Sequence, residues 1–516
     1  MPPEAPTPSP LPSSTAPSVA GDRIRRWLQD AGHAVHTHTG AQTPALADLS
    51  ITHLTDDSRR VGPGSAFIAL AGTDADGHRF ISDALDSGAA LVVCEQLPDG
   101  VQAAFPNAAF LRIRDTRRGV ADLAAAFYGH PSRALRMLGV TGTNGKTTVA
   151  YLLHHLLGAL GETTGLLSTI DVRLGNRSAD AVLTTPGALD LQRMLRSMAD
   201  TGCSACAMEV SSHALDQRRV HRVGYDVALF TNLTTDHLDY HGTFARYRDA
   251  KKRLFDMLGA DAVAVVNADD EAHGPLTADT DATVQTYALD ADATFRGTLD
   301  ANTLDGLRMT IDGHTRPFRL AGTFNAYNLL AAYGAGRALG YDAPAVLDAL
   351  ADAPPVPGRF ETLAVDGGPT VVVDYAHTPD ALANILRAVR ATATPDATLW
   401  CLFGCGGDRD TGKRPTMGRI AERLAHRVIV TSDNPRTEDP EAILHDIRAG
   451  FQNPSAADWI VDREDAIAAA AARAAPGDVV VIAGKGHETY QVVGNQTRPF
   501  DDRAVARLHF GAPSRE

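Results

Sequence analysis

Residues 139–148 read Gly-Val-Thr-Gly-Thr-Asn-Gly-Lys-Thr-Thr, and this stretch constrains the fold more than any other. The segment before it, 134–140, is apolar enough for a buried strand. The segment after it, 149–160, places Val149, Leu152, Leu153, Leu156, Leu157 and Leu160 at helical spacing. A strand that passes through a glycine loop into a helix is the setting of a phosphate loop. Gly142 and Gly145 let backbone N–H groups close around phosphate oxygens, and the helix N-terminus adds its positive dipole end. Lys146 can reach terminal phosphates, and the Thr147 hydroxyl can ligate Mg²⁺. Gly139 lies one residue too far from Gly145 for the usual spacing, so the loop reads G-x-x-G-x-N-G-K-T-T. A glycine turn followed by a chance Lys-Thr is the alternative, and the flanking elements argue against it.

A chain of 516 residues, 44% hydrophobic, is expected to form about two to four domains. A formal charge of −14 argues against nucleic-acid binding, which needs clustered Lys and Arg. No apolar run approaches a membrane span, and no signal peptide opens the chain. Five cysteines do not make a disulfide framework, so a reducing cytoplasm is expected. Cys203 with Cys206, and Cys401 with Cys405, could together bind zinc, but each pair sits in or beside an apolar strand without a His at ligand spacing.

Residues 1–20 hold seven prolines among Ser, Thr and Ala and read as a disordered tail. A first globular domain, 21–133, has strands at 65–70, 89–94 and 109–113, helices at 81–87 and 120–128, and polar loops at 57–59 and 72–78. A second, 134–355, begins at the phosphate loop. It carries Thr184-Thr185-Pro186-Gly187, which can be only an N-cap with its proline, before a helix. An apolar strand then ends in Met208-Glu209-Val210-Ser211-Ser212-His213, where Glu209 is placed to hold Mg²⁺. The strand 227–231 leads to a loop with Asp236, His237, Asp239 and His241, a density of potential ligands unusual in a solvated turn. The next helix carries Lys251 and Lys252, and nothing in the pattern singles out either. Asn325 and Asn328 share a face of a further helix.

The Pro-rich stretch 353–358 is the clearest linker. Beyond it, 356–516 alternates strand and helix as in an open parallel sheet. Strands at 371–373, 399–403, 428–431 and 479–483 each run into a polar motif, and ligands of such sheets bind at the strands' carboxyl ends. These parts suggest ATP-driven condensation: a carboxylate takes the γ-phosphoryl group, and an amine attacks the acyl phosphate. A nucleotide-gated switch or motor is the rival class, but it needs no third binding face.

Four motifs, Gly142-Thr-Asn-Gly-Lys-Thr-Thr148, Asp236-His-Leu-Asp-Tyr-His-Gly242, Asp374-Tyr-Ala-His-Thr-Pro-Asp380 and Gly484-Lys-Gly-His-Glu488, resemble those of the Mur ligase family. The resemblance spans nearly the whole chain after the tail. It implies an α/β protein of three domains: an N-terminal α/β UDP-sugar domain, a central phosphate-loop ATPase domain with a parallel sheet, and a C-terminal Rossmann-like domain. It implies ATP and Mg²⁺ as cofactors and an acyl-phosphate amide ligation in peptidoglycan synthesis, with catalytic roles for Lys146, Lys251 and His237. Nucleotide contacts fall on Gly142, Thr143, Asn144, Gly145, Lys146, Thr147, Thr148, Asn325, Arg359, Asp374 and His377. Metal ligands fall on Thr147, Glu209, His237 and Lys251, the last as a carbamate. Ser58, Thr73, Asp74 and Ala75 resemble UDP-sugar contacts, and Thr184, Thr185, Ser211, Gln217 and Arg219 match positions that hold the dipeptide. Asp433, Asn434, Pro435 and Arg436 look like the form found in members that add meso-diaminopimelate; Arg409, Gly484 and Glu488 match the remaining amino-acid contacts. The implied partners are a UDP-N-acetylmuramoyl dipeptide and meso-diaminopimelate, with no nucleic acid, no membrane and a monomeric state. Lysine-adding relatives and folylpolyglutamate synthetase are the alternatives.

Overall fold

The structure is a computed structural model that describes residues 18–39, 42–72 and 75–511. Thr73, Asp74 and the tail up to residue 17 lie outside the described residues. Three principal sheets follow one another along the chain.

The first has five strands, in the order His36–Thr39, Ala109–Arg112, Leu91–Cys94, Ser65–Ile68, His53–Thr55. All pairs are parallel except the first. Its two faces bury alternate side chains, as strand geometry requires. Ile68, Val93 and Leu111 pack under the helices Gly21–Asp30 and Thr116–Phe127, while Phe67, Val92 and Phe110 pack against Ile81 and Leu85. One boundary is corrected here. Val19 and Ala20, assigned by composition to the tail, pair antiparallel with Ile51 and Ser50, and Val19 joins the core. Burial of one valine and two ladder positions outweighs the local Pro-Ser bias.

The second sheet has eleven strands. Its parallel centre runs Thr164–Leu167, Ala205–Glu209, Arg136–Thr141, Val227–Phe230, Val263–Asn267, Thr283–Ala288. The glycine loop leaves Arg136–Thr141, flanked by the strand of Glu209 and the strand that ends before Thr231. The helix Lys146–Ala159 starts three residues before its apolar stripe and packs with Thr323–Ala338 and Ala343–Ala351 over Leu138 and Val140. The sheet carries antiparallel arms absent from the sequence reading: Asp171–Leu174 with Arg177–Asp180 at one edge, and Phe295–Thr303, Gly306–Ile311 and His314–Phe318 at the other. The last hairpin turns on Asp312-Gly313, both at positive φ (48° and 77°), the Asp-Gly signal of a two-residue turn.

The third sheet runs Glu361–Leu363, Thr370–Asp374, Val479–Ala483, Leu399–Phe403, Arg427–Val430, Ala457–Trp459, parallel after its first antiparallel pair. Val356 still belongs to the central core, and Phe360 already belongs to this one, so the chain crosses over at residues 357–359. Cys203 and Cys206 lie in the central core and Cys401 and Cys405 in this one, which separates the two pairs that zinc would have to share. All five cysteines are free and buried.

Candidate active site

The glycine loop is held from three sides. A Cβ on Gly142 would come within 1.9 Å of Thr231 Oγ1, and one on Gly145 within 2.4 Å of Asn328 Oδ1. Thr143 N donates to Asn232 O (2.8 Å), Asn144 N to Asn232 Oδ1 (3.0 Å), and Thr231 Oγ1 to Asn144 O (2.6 Å). Thr148 is buried beneath the loop. Asn325 reaches it indirectly: its Oδ1 accepts from Asn328 Nδ2 at 2.9 Å, and its own Nδ2 donates to Ala321 O. Lys146 bends back, Nζ donating to Gly142 O (3.0 Å) and Thr143 O (2.8 Å).

Lys251 and Lys252 part company. Lys252 forms surface ion pairs with Asp279 (2.7 Å) and Asp256. Lys251 is 1% exposed, donates to Gly142 O at 2.7 Å and lies over the Tyr247 ring. Two lysines therefore converge on one carbonyl. Burial, reinforced by the charge of Lys146, pushes the Lys251 ammonium well below its ordinary range. Burial also lowers Lys146, with Glu209 and Asp236 opposing.

Glu209 is fully buried at its strand end, accepting from Thr169 N (2.7 Å) and Thr169 Oγ1 (3.2 Å). Of the four ligand-type residues after Thr231, Asp236 and His237 stay paired, Nε2 to Oδ2 at 3.5 Å, while His241 parts from them. His237, in left-handed backbone (φ 53°), packs its ring against His213 and Tyr247, and burial pushes it down to about 4, so the imidazole is neutral at pH 7. Asp236 accepts from His237 N, and His241 turns away to Ser212 Oγ (3.0 Å). Among the described residues no three His, Cys, Asp or Glu side chains form a ready metal site.

The dipeptide candidates form one network attached to Glu209. Thr185 Oγ1 donates to Glu209 O (2.8 Å) and accepts from Ser211 N (3.1 Å). Arg219 donates to Thr185 O (3.0 Å) and to Gln217 Oε1 (2.6 Å), and Thr169 Oγ1 donates to Thr184 Oγ1. Ser58 opens a short helix capped by Asp57, and Ala75 O accepts from Gly72 N. Among the described residues no hydrogen bond ties Ser58 or Ala75 to the Glu209 network.

The third domain comes over the loop. Arg359 lies on the Tyr375 ring and donates through Nη2 to Thr147 Oγ1 at 3.1 Å. Asp374 accepts from Phe360 N and Ala376 N (2.8 Å each); burial raises its carboxyl, with Arg359 opposing. His377 Nδ1 sits 2.9 Å from Tyr375 O. Farther along the same sheet edge, Asn434 Nδ2 donates to Glu488 Oε2 (2.8 Å). Arg436, at φ 50°, donates to Gly407 O (2.7 Å) beside Gly406. A Cβ on Gly484 would stand 2.6 Å from Asp433 Oδ2, so only glycine lets that carboxylate approach. Pro435 is buried between them. Arg409 is the outlier: it is exposed, and among the described residues its guanidinium makes one hydrogen bond, to Asp408 O at 3.4 Å.

Some residues here carried no sequence signal of their own. Arg463, fully buried, pairs with Asp502 (2.7 Å) and donates to Ser432 O (3.1 Å) and Ala483 O (3.0 Å), the residues just before Asp433 and Gly484. Lys485, inside the Gly-Lys-Gly-His-Glu motif, is 0% exposed.

A phosphate loop at the centre of a parallel sheet, flanked by one α/β domain and touched by a second, defines a three-domain phosphate-loop protein of the ligase type. The particular family follows from comparison. Residues 50–128 match the catalytic domain of the Mur ligase family, 140–336 the Mur ligase middle domain, and 358–486 the Mur ligase glutamate ligase domain. A UDP-N-acetylmuramoyl-L-alanyl-D-glutamate–2,6-diaminopimelate ligase from Synechococcus elongatus is 48% identical over 476 residues, 90% of this chain and 95% of the relative. Its namesake from Geobacillus kaustophilus is 46% identical over 468 residues, 89% of this chain and 94% of the relative. The chain belongs to the Mur ligase family. A solved structure of a ligase of that name superposes with a TM-score of 0.65 at 33% identity, over 96% of this chain and 99% of the other. The fold is shared with the MurF ligase of Thermotoga maritima in complex with ADP (TM-score 0.58, 19% identity, 84% of this chain and 93% of the other).

Proposed function

We infer that this chain is an ADP-forming ligase that adds meso-2,6-diaminopimelate to UDP-N-acetylmuramoyl-L-alanyl-D-glutamate in peptidoglycan synthesis. The glutamate carboxylate attacks the γ-phosphorus of ATP and releases ADP. The amine then attacks the acyl carbon, phosphate leaves, and the amine's proton is lost. The observation that carries the reading is the meeting of three parts: the loop at Lys146 and Thr147, the Thr185–Arg219 network on Glu209, and Arg359 from the amino-acid domain on Thr147. A nucleotide switch has no use for that convergence.

Lys146 neutralises phosphoryl charge, and Arg219 with Thr185 and Ser211 holds the dipeptide. A divalent cation such as Mg²⁺ would screen the phosphoryl oxygens. Glu209, neutral His237 and the Thr147 hydroxyl suit it, but the Lys251 ammonium does not. An uncharged Lys251 amine can instead add to carbon dioxide with loss of a proton, and the resulting carbamate would be a second anion beside Glu209 in this donor set. Five buried free thiols and the identity of the substrates favour a cytoplasmic enzyme, and a monomer is the state we propose for it.

At the amino-acid end, Arg436 selects the diamino acid. Its second carboxylate can take two parallel N–H···O bonds from the guanidinium, whereas lysine would leave that charge without an anion. The test is phosphate release with the UDP-dipeptide and a panel of amines, in wild type and Arg436→Ala. Wild type should prefer meso-diaminopimelate to lysine by about 30-fold to several thousand-fold in kcat/KM. The variant should lose that preference, chiefly through diaminopimelate. A wild type that accepts lysine equally well would remove this substrate assignment, and a variant that keeps the preference would remove Arg436 from it.

A further inference from the structure

The amino-acid end of the site contains a buried lysine in contact with two of its candidate residues. Lys485 Nζ is completely enclosed, donating to Asn434 Oδ1 and to Glu488 Oε2, both at 3.1 Å, and lying over the Tyr490 ring at 5.6 Å. The same Glu488 oxygen accepts from Asn434 Nδ2 at 2.8 Å. Asn434 Oδ1 also accepts from Val492 N at 3.0 Å. The Asn434 amide is therefore saturated on its oxygen side and committed on its nitrogen side, and it has no acceptor left for an ammonium. Acceptors remain on Asp433 and on the second oxygen of Glu488, which takes no bond from a protein donor among the described residues. Both belong to the cluster that also holds Arg436.

We propose that Lys485 is a positioning residue of the amino-acid site: clamped between Asn434 and Glu488, it holds the Glu488 carboxylate with its outer oxygen turned to receive an ammonium of the incoming diamino acid. The proposal rests on the ligase reading above and deepens it. The charges around Glu488 define what removing Lys485 would do. Asp433 is the second carboxylate acting on Glu488, Arg463 is tied to Asp502, and the Tyr490 and Tyr375 hydroxyls both feel the Glu488 charge, Tyr490 that of Arg436 as well. Burial raises the Glu488 carboxyl and Asp433 raises it further, while Lys485 opposes both. Without the lysine, burial and Asp433 raise the Glu488 carboxyl unopposed by that cation, which favours the neutral acid and weakens its hold on an ammonium. Raising the pH restores the carboxylate, so lost affinity should return on the alkaline side. A purely structural lysine has no such signature.

The experiment compares wild type, Lys485→Met, Lys485→Arg, Glu488→Gln and the double variant that combines Lys485→Met with Glu488→Gln. Two readouts are taken: KM and kcat for meso-diaminopimelate against pH, and isotope exchange between ADP and ATP that needs the UDP-dipeptide but no diamino acid. Lys485→Met should raise KM about 30-fold or more at neutral pH, with the acid limb displaced upward, and leave exchange within about twofold of wild type. Lys485→Arg should recover most of the loss. Glu488→Gln should raise KM comparably without the pH displacement, and adding Lys485→Met to it should cost less than about twofold more. The proposal is overturned if Lys485→Met leaves KM unchanged, if its effect persists in full in the Glu488→Gln background, or if it abolishes exchange as well. A wild type that performs exchange yet never uses the diamino acid would instead refute the ligase reading on which it rests.

Discussion

Lys251 shows how much a single side chain's surroundings decide. Its neighbour Lys252 has the same chemistry and faces two surface carboxylates. Lys251 faces a carbonyl, a tyrosine ring and another lysine. An ammonium enclosed this way is costly and gives up its proton readily, which makes the amine reactive toward carbon dioxide. On the proposal that Lys251 carries a carbamate, Lys251→Ala should lower kcat about 100- to 1000-fold, because an anion leaves the charge-stabilising set. Short carboxylic acids should partly restore it by occupying the vacated space. An active variant, or one that no carboxylic acid rescues, would leave Lys251 a structural lysine. The resemblance pointed at Lys251, but the sequence pattern alone could not separate it from Lys252, because burial of a helix face depends on what packs against it.

At the scale of elements, the strand–loop–helix unit was the most legible part of the chain. Its strand and helix appear where apolar spacing put them, and the helix begins earlier because Gly145 at φ 87° turns the chain straight into its first turn. The loop's tolerance is set from outside by Thr231 and Asn328. Gly142→Ala should abolish ADP binding and cost about 1–3 kcal/mol of stability, because its Cβ would overlap the Thr231 hydroxyl in a backbone region that favours glycine. ADP titration together with urea unfolding checks this, and wild-type affinity would show that the loop can shift. The antiparallel arms at the sheet's edges were missed for a different reason. Their strands are half exposed and rich in Thr, Arg and Asp, so they lack the apolar runs that mark central strands, although Asp312-Gly313 advertised one of the turns.

Across the whole molecule, two interfaces hold the site together. The first domain joins the second through Ala188 and Leu189, which enter its core, and through Asp122. That carboxylate, almost fully buried, faces His33 (2.9 Å), Arg118 (3.6 Å), His221 (3.6 Å) and Arg222. Asp122→Ala would leave these groups without their anion. Because Arg118 and Arg222 are partly solvated, the expected loss is about 2–3 kcal/mol rather than the larger cost of a fully buried pair. Chemical denaturation measures it, with early separation of the first domain expected, and an unchanged transition would show the hub to be dispensable. The second interface joins the central and third domains around the nucleotide loop: Arg359 donates to Thr147, Thr234 Oγ1 donates to Asp380 Oδ2 at 3.1 Å, Ala321 enters the third core, and Phe324 meets the Phe360 ring edge-on.

The sequence left Thr164–Leu167, Val263–Asn267, Thr283–Ala288 and Ala457–Trp459 unread, but by itself it determined where the phosphate loop lies, which strands carry polar motifs at their ends, and that the third domain is an open parallel sheet. These are local properties, written in periodicity and in glycine placement. Only the tertiary structure decided which polar residues meet. It gathered Thr185, Gln217 and Arg219 onto Glu209, left Arg409 exposed, and turned His241 from the loop to Ser212. It also enclosed Lys485, which the sequence placed in a motif but gave no role, and Arg463, which lies in none of the motifs. Such encounters join residues far apart in the chain, and the free energy of burying a charge exists only once packing has removed its water.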